Sequence, residues 1–249
     1  MNNATVPALY KETLDIRANE VDVANRWKAS AIFSAQQEVA EKHCRFLHCS
    51  HHEMAARDAF FVLMRQRLDF VKYPCASDLV ECTTWVGTPQ RTAFSRFHSF
   101  DSPEGEHYGT VSAIWMICSL SDRRILQPAS VLEVYPDSAR DDLPAPGKLR
   151  FPGEPMRSMN HIVSYSDMDY NGHANNTRYV EWCMNFFDIP SFFDRELSRF
   201  QINYVSELRG GEDVHLDLHE SDDGFSVRGR LDGESRAVFE AAGAWRSLR

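Results

Sequence analysis

Long hydrophobic runs are missing from this sequence of 249 residues. No window approaches the roughly 18 uninterrupted apolar residues that a membrane-spanning helix needs, and the longest apolar stretch, residues 113–120, suits a buried strand. The opening MNNATVPALYKE has no basic segment followed by an apolar core, so no secretory signal is expected. Cysteine is sparse: Cys44, Cys49, Cys75, Cys82, Cys118 and Cys183 are spread too thinly for a disulfide scaffold. Without an export signal the expectation is reduced thiols and a cytoplasmic chain. Positive charge is in deficit, with 27 basic against 36 acidic residues and a net charge of −9. No run of Lys or Arg exceeds Arg123–Arg124, whereas nucleic-acid binders carry a basic stripe; an acidic average still permits a local basic patch facing an acidic partner. Neither G-x-S-x-G nor G-x-x-x-x-G-K occurs, which removes the mechanics of a nucleophile-elbow hydrolase and of a P-loop enzyme.

What is present is a globular composition, with 43% hydrophobic, 12% aromatic and 25% charged residues. Those shares exclude a disordered tail, a collagenous chain and a coiled coil. The length exceeds one typical domain of about 150 residues and falls short of two large ones.

Between Glu133 and Pro155 stand five prolines (Pro136, Pro144, Pro146, Pro152, Pro155), Gly147, Gly153 and the pair Asp141–Asp142, with no periodicity. That is the composition of a linker or crossing loop, and the order of elements repeats on either side of it. In the first half, residues 10–18 suit a strand, and the polar turn NEVDVANRW follows. In the helical stretch after it, Ile32, Val39 and Phe46 recur every seven residues beside Phe33, Ala40 and Leu47, one broad apolar face. Strand-like runs come next at 60–73, 79–86, 93–100 and 108–120, separated by PCASD, GTPQ and DSPEGE. The second half reads as a strand at 158–166, the turn DMDYNGH and a helix over 175–187 carrying Tyr179, Val180, Cys183, Met184 and Phe187. Strands follow at 200–207, 214–220, 225–231 and 236–245. At an offset of 147 positions VSYSDMDYNGHANN lies over IRANEVDVANRWKA, so that Asp169 faces Asp22, Asn171 faces Ala24 and His173 faces Arg26. A long helix followed by antiparallel strands must bury itself against the sheet. The expectation is therefore an α+β chain of two tandem units, residues 1–132 and 157–249, joined edge to edge through a linker at 133–156.

The densest polar cluster is SDMDYNGHANNTRY, residues 166–179. It lies between a strand and a helix, where N–H groups at the helix start are unpaired and able to meet the charge a carbonyl oxygen develops during acyl transfer. Asp169, Asn171 and His173 put a carboxylate, an amide and an imidazole within five positions. Loops before helices are also rich in Asp, Asn and Gly for capping alone, so the segment by itself does not decide between capping and chemistry. A second cluster, HCRFLHCSHHE at 43–53, spaces Cys44, His48 and His52 at i, i+4, i+8, a helical spacing that can ligate zinc. H-E-x-x-H fails there, since Ala56 stands where the second His would be, and the cluster reads as the decorated end of an amphipathic helix; no metal is expected.

The segment at 166–179 resembles the signature of hot-dog-fold thioesterases, and more closely that of the plant and bacterial acyl-(acyl carrier protein) thioesterases. That family's D-x-D-x-N-x-H-x-N-N-x-x-Y reads here as Asp167, Asp169, Asn171, His173, Asn175, Asn176 and Tyr179, with Trp182 following. Downstream, INYVSELRGGEDV is similar to the family's strand in which an aromatic, Tyr204, precedes Glu207 by three residues. In the first half the resemblance takes in Lys72–Pro74, Trp85, residues 96–100, Asp101, Gly105 and Trp115. It implies a double hot-dog fold, with each helix wrapped by an antiparallel sheet, and catalytic positions Asp169, Asn171, His173 and Glu207 in the C-terminal half. Many plant relatives have Cys directly after the Glu; Leu208 stands there, so no cysteine acyl-enzyme forms at that site. The implied reaction is hydrolysis of fatty acyl groups from acyl carrier protein (ACP), without a cofactor, ending fatty-acid synthesis; ACP is the expected partner. An acyl-CoA thioesterase and a non-catalytic acyl sensor are the alternatives, and the intact set argues against the sensor. Glu207 with His173 is expected to activate water while Asn171 orients it or the thioester, and N–H groups at 172–175 are expected to serve the oxyanion. Asp169 holds the set in register or shares the base role, and its direct attack to form an anhydride stays open. The N-terminal unit lacks the set and is expected to bind the acyl chain through Ile32, Phe33, Val39, Phe46, Phe61 and Met64. Arg178, Arg195, Arg199 and Arg209 are expected to face the carrier. Nucleic acid and membrane are not expected as partners, and nothing in the sequence excludes a homodimer.

Overall fold

Alternation of apolar and polar residues builds the first strand, β1 (Leu9–Asp15), whose burial changes with every residue. In the computed structural model, which describes residues 8–132, 143–151, 154–221 and 223–248, helix α1 (Ala29–Phe46) follows and then a short α2 (His51–Ala56). Strands β2 (Ala59–Phe70), β3 (Leu79–Val86), β4 (Ala93–Asp101), β5 (His107–Ser119) and β6 (Ile125–Leu126) come next, with one turn of helix, α3 (Pro128–Val131). The second half comprises β7 (Arg157–Ile162), α4 (Arg178–Met184), α5 (Ser191–Asp194), β8 (Arg195–Tyr204), β9 (Asp213–Ser221), β10 (Gly224–Leu231) and β11 (Ala237–Ser247).

The strands form one antiparallel sheet in the order β1-β3-β4-β5-β2-β8-β11-β10-β9-β7, with β6 added to β5. Read outward from the middle, the halves have the same internal order, and β2 meets β8 at the seam, where Leu68 pairs with Phe200 and Gln66 with Ile202. Both sheet halves wrap a central helix, the double hot-dog architecture. Helix α1 buries Ile32, Phe33 and Val39 completely in a core shared with Tyr179, Trp182, Phe200 and Phe239. Among the described residues no helix is long and apolar enough to cross a membrane.

The helix expected at 175–187 is shorter. The Asn175 side chain takes the Thr177 N–H at 2.9 Å and delays the start, and the chain turns out after Met184 toward Pro190. Residues 133–142 and 152–153 of the expected linker lie outside the described residues. The part between them is tied to the sheet: the Ser112 hydroxyl donates to Pro144 O at 2.6 Å, and Gly147 O accepts from Gln201 Nε2 at 2.7 Å and Asn203 Nδ2 at 3.1 Å.

Candidate active site

The turn between β7 and α4 is built by its own short polar side chains. Asp167 Oδ2 accepts from the Ser164 N–H (2.8 Å) and hydroxyl (2.9 Å) and lies 3.0 Å from His161 Nε2, while Oδ1 accepts the Trp182 indole N–H at 3.2 Å. Burial pushes this carboxyl up, but the Ser164 N–H, His161, the Ser164 hydroxyl and Trp182 outweigh it and hold Asp167 below the usual carboxylate range. Asp169 organises the next turn. Its Oδ1 accepts the N–H of Asn171 (2.8 Å) and His173 (3.3 Å), and Oδ2 accepts the Asn171 amide at 3.4 Å. Asp169 N–H in turn donates to His173 O at 2.8 Å. Gly172 sits at φ +79°, a left-handed conformation that glycine adopts without strain.

Two ties fix this loop to the chain that carries Glu207. The Ala174 N–H donates to Leu208 O at 2.8 Å. The Tyr204 hydroxyl, whose pKa burial drives far up so that it stays a donor, reaches Asn176 O at 2.9 Å. Together they set Glu207 Oε2 at 3.1 Å from His173 Nε2, with the imidazole 21% and the carboxylate 52% exposed. A carboxylate and an imidazole at that spacing can take and return a proton. The N–H groups of residues 172–175, expected to meet an oxyanion, are already engaged with Asp169 O, Asp169 Oδ1, Leu208 O and Asp167 O, because so tight a loop consumes its own donors. Among the described residues the Asn176 N–H of the same loop has no acceptor.

Asp169, Asn171, His173 and Glu207 stand together in the wall of a cavity of about 990 Å³ between the C-terminal half of α1 and the N-terminal half of the sheet. Phe61 and Met64 line it too. Ile32, Phe33 and Val39 do not: they lie in the core, and the cavity side of α1 carries Gln37, Ala40, Glu41 and Cys44 instead. Phe46 is 53% exposed and packs on Tyr10 with ring centroids 5.5 Å apart. The seven-residue stripe marks a side of the helix that is mostly buried; periodicity cannot say whether the neighbour is core or cavity. Arg96 and Trp115 also line the cavity, set side by side by the pairing of β4 with β5, and Cys44 reaches it from α1.

The stretch at 43–53 is not one helix. Helix α1 ends at Phe46, His48 takes φ +54°, and the Cys49 N–H closes on Cys44 O at 2.9 Å, a Schellman-type stop. Helix α2 restarts behind Ser50, whose N–H donates to Glu53 at 2.9 Å. The alignment of Cys44, His48 and His52 is thereby broken, and among the described residues no three metal-ligating side chains converge. Of the arginines expected to face a carrier, Arg178 pairs with Glu181 (2.7 Å) and Arg199 with Asp69 (2.7 Å), while Arg195 reaches Glu220 (3.6 Å) and stacks on Trp245. Arg209 is exposed and, among the described residues, makes no ion pair.

The first half repeats the loop with Ala24 and Arg26 in the places of Asn171 and His173. Asp22 Oδ1 accepts the N–H of Ala24 (2.9 Å) and Arg26 (3.0 Å), and the Asp22 N–H donates to Arg26 O at 2.8 Å. Isolated bridges Val21–Trp27 and Met168–Ala174 close the two loops alike. Arg26, in the place of His173, is clasped by Asp22 (3.1 Å), Arg195 O (3.0 Å), Phe192 O and Glu196 (3.6 Å). The Trp27 N–H donates to Pro74 O as the Ala174 N–H does to Leu208 O, so Tyr73 takes the place of Glu207. It is buried, donates to Leu197 O at 2.9 Å, and stands beside a second cavity of about 800 Å³.

Residues 7–133 match the model of the acyl-ACP thioesterase N-terminal domain, and residues 154–247 match that of the C-terminal domain. A chloroplastic acyl-ACP hydrolase of Cuphea viscosissima is 24% identical over 215 residues, covering 80% of this chain and 52% of its own. Oleoyl-acyl carrier protein thioesterase 1 of Arabidopsis thaliana is 26% identical over 226 residues, covering 80% and 60%. The chain thus spans a little over half the length of these curated relatives. A solved acyl-ACP thioesterase from Bacteroides thetaiotaomicron superposes with a TM-score of 0.88 at 20% identity, over 96% of this chain and 98% of that one. A 12:0-ACP thioesterase from Umbellularia californica gives 0.82 at 19% identity, over 97% and 98%. At those identities the superpositions speak for the fold alone.

Proposed function

Since the chain belongs to the acyl-ACP thioesterase family, we propose that it hydrolyses fatty acyl-ACP thioesters to free fatty acid and carrier. The observation that carries this is the His173–Glu207 pair, 3.1 Å apart, at the wall of a cavity large enough for an acyl chain. Glu207 takes a proton from water, and the amide of Asn171 and Nε2 of His173 orient the pair. The water oxygen attacks the thioester carbonyl, and the oxyanion turns to the Asn176 N–H. The C–S bond then breaks, and the proton passes from Glu207 to the departing sulfur, leaving a carboxylic acid and a thiol. Asp169 acts as the clamp of the loop, both its oxygens being turned to loop donors, which favours water attack over an anhydride. The C-terminal half supplies the chemistry and the N-terminal half the chain-binding wall.

The carrier, an acidic protein, docks against Arg45 and Arg123 at the cavity and against Arg209, two residues beyond Glu207. Turnover of acyl-ACP and acyl-CoA thioesters of graded chain length tests the reading. Release of fatty acid faster from ACP than from CoA is expected, and charge reversal at Arg45 and Arg209 should raise KM for acyl-ACP, as added salt does. Faster turnover of CoA esters would make the chain an acyl-CoA thioesterase, and no release from either would overturn the proposal.

A further inference from the structure

Arg96 is 3% exposed, and its side chain stands in the wall of the acyl cavity. The groups around it carry no settled negative charge. One terminal nitrogen faces Nδ1 of His43 at 3.2 Å, which must then be an unprotonated acceptor, and donates to the Thr84 hydroxyl at 3.3 Å; the other donates to Cys44 Sγ at 3.4 Å. Among the described residues no carboxylate pairs with it. A guanidinium cannot shed its charge, and a buried ion without a partner is strongly unfavourable. If the cavity took only hydrocarbon tails, each entering chain would strip the remaining water from this cation and offer nothing in return. Polar burial continues beyond it: His98 on the same strand and Gln66 on β2 are fully buried, and Gln66 Nε2 and both His98 ring nitrogens lack hydrogen-bond partners among the described residues.

We infer that the acyl chain this cavity selects ends in a carboxylate, which pairs with Arg96, so that the preferred substrates are ω-carboxyl (dicarboxylic) acyl groups. The inference rests on the reading of the cavity as the acyl site of a thioesterase. The wall between the two ends is apolar: Phe61 packs against Phe94 and Trp115 with centroids 5.7 and 6.4 Å apart, suited to methylenes. Arg96 lies on β4, three strands from the β8 strand that leads to Glu207, or roughly 14 Å at ~4.8 Å per strand. An extended chain advancing about 1.3 Å per carbon covers that distance in about ten to twelve carbons.

The test compares ACP loaded with dodecanedioyl, 12-hydroxydodecanoyl and dodecanoyl groups, as thioesters for kcat/KM and as non-hydrolysable amides for calorimetric binding. The dodecanedioyl carrier should bind and turn over at least tenfold better than the dodecanoyl carrier, with the hydroxy chain between them. Arg96→Leu should invert that order, and Arg96→Lys should partly restore it. Tighter binding of the dodecanedioyl amide without hydrolysis of any thioester would sink the thioesterase reading and keep this one. Equal binding of the two chains, or an order unchanged in Arg96→Leu, would overturn the inference. So would a Cys44 thiolate absorbing in the ultraviolet at neutral pH in wild type and absent in Cys44→Ser, since the guanidinium would then already have its counter-ion.

Discussion

At the scale of single residues, the proposed mechanism separates groups that react from groups that hold. Glu207 and His173 serve one water in the proposed mechanism, so His173→Ala and Glu207→Ala should each lower kcat by about 10²–10⁴-fold. The double variant should be little worse than either single one; rates near wild type in one variant would remove that residue from the mechanism. Asp167 belongs to the holding class. Its folded carboxyl sits below the ordinary range, so the native state binds fewer protons than the unfolded one around the unfolded value of about 3.9. It therefore adds stability above that pH and loses it as the pH falls through the folded value. Asp167→Asn should show a melting-temperature deficit that is full near neutrality and closes as the pH falls from the unfolded value of about 3.9 through the lowered folded one; a deficit constant across the range would contradict the assignment. The proposed reacting set is legible in the sequence through the motif by which Asp169, Asn171, His173 and Glu207 resemble the family, and the structure brings the four to one cavity wall. What no local pattern could show was the fate of the N–H groups at 172–175, because their acceptors include Leu208 O, more than thirty positions along the chain.

At the scale of elements, strand positions followed from alternation and turn residues, and the misses have identifiable causes. Strand β8 starts at Arg195 and not at residue 200, because pairing with β11 extends it back to the Arg195–Ser247 register. Helix α4 loses its ends to an Asn cap and a proline, and β6, α3 and α5 are too short to carry a period. Close packing between strands also depends on glycine where an aromatic ring crosses its neighbour. Gly109 pairs with Phe70, and a Cβ there would collide with the Phe70 ring and the Asp69 carbonyl. Gly109→Ala should cost about 1–3 kcal/mol, read as a lower melting temperature. Gly147→Ala, whose Cβ would meet nothing within 4 Å, is the control and should stay within about 0.5 kcal/mol of wild type. Equal melting temperatures for the two would show that the sheet at β2–β5 is looser than its register implies.

At the scale of the molecule, duplication gives a physical reason for the proposed division into one reacting cavity and one that does not react. Two loops with the same backbone hydrogen bonds face two cavities of about 990 and 800 Å³, but in one of them Arg26 and Tyr73 are spent on holding neighbouring carbonyls. The 147-residue offset places Ala24 opposite Asn171 and Arg26 opposite His173 in the sequence itself; the place of Tyr73 and the side of α1 that faces the larger cavity are not legible there, since a helix buried on most sides shows one broad stripe. That distinction is open to measurement. Phe61 and Met64 line the cavity, whereas Ile32, Phe33 and Val39 are fully buried in the core. Each methylene moved from water to an apolar wall gains about 0.8 kcal/mol, so lengthening the space by one side chain shifts the preferred chain by a few carbons. Phe61→Ala and Met64→Ala should therefore raise activity on longer acyl chains relative to shorter ones with little loss of melting temperature. Ile32→Ala and Phe33→Ala should cost about 2–5 kcal/mol of stability and leave the length profile in place. Profiling all four variants on one series of acyl-ACP thioesters, with melting curves on the same preparations, separates wall from core. A profile that moved with Phe33 and not with Phe61 would put the acyl chain on the other side of α1.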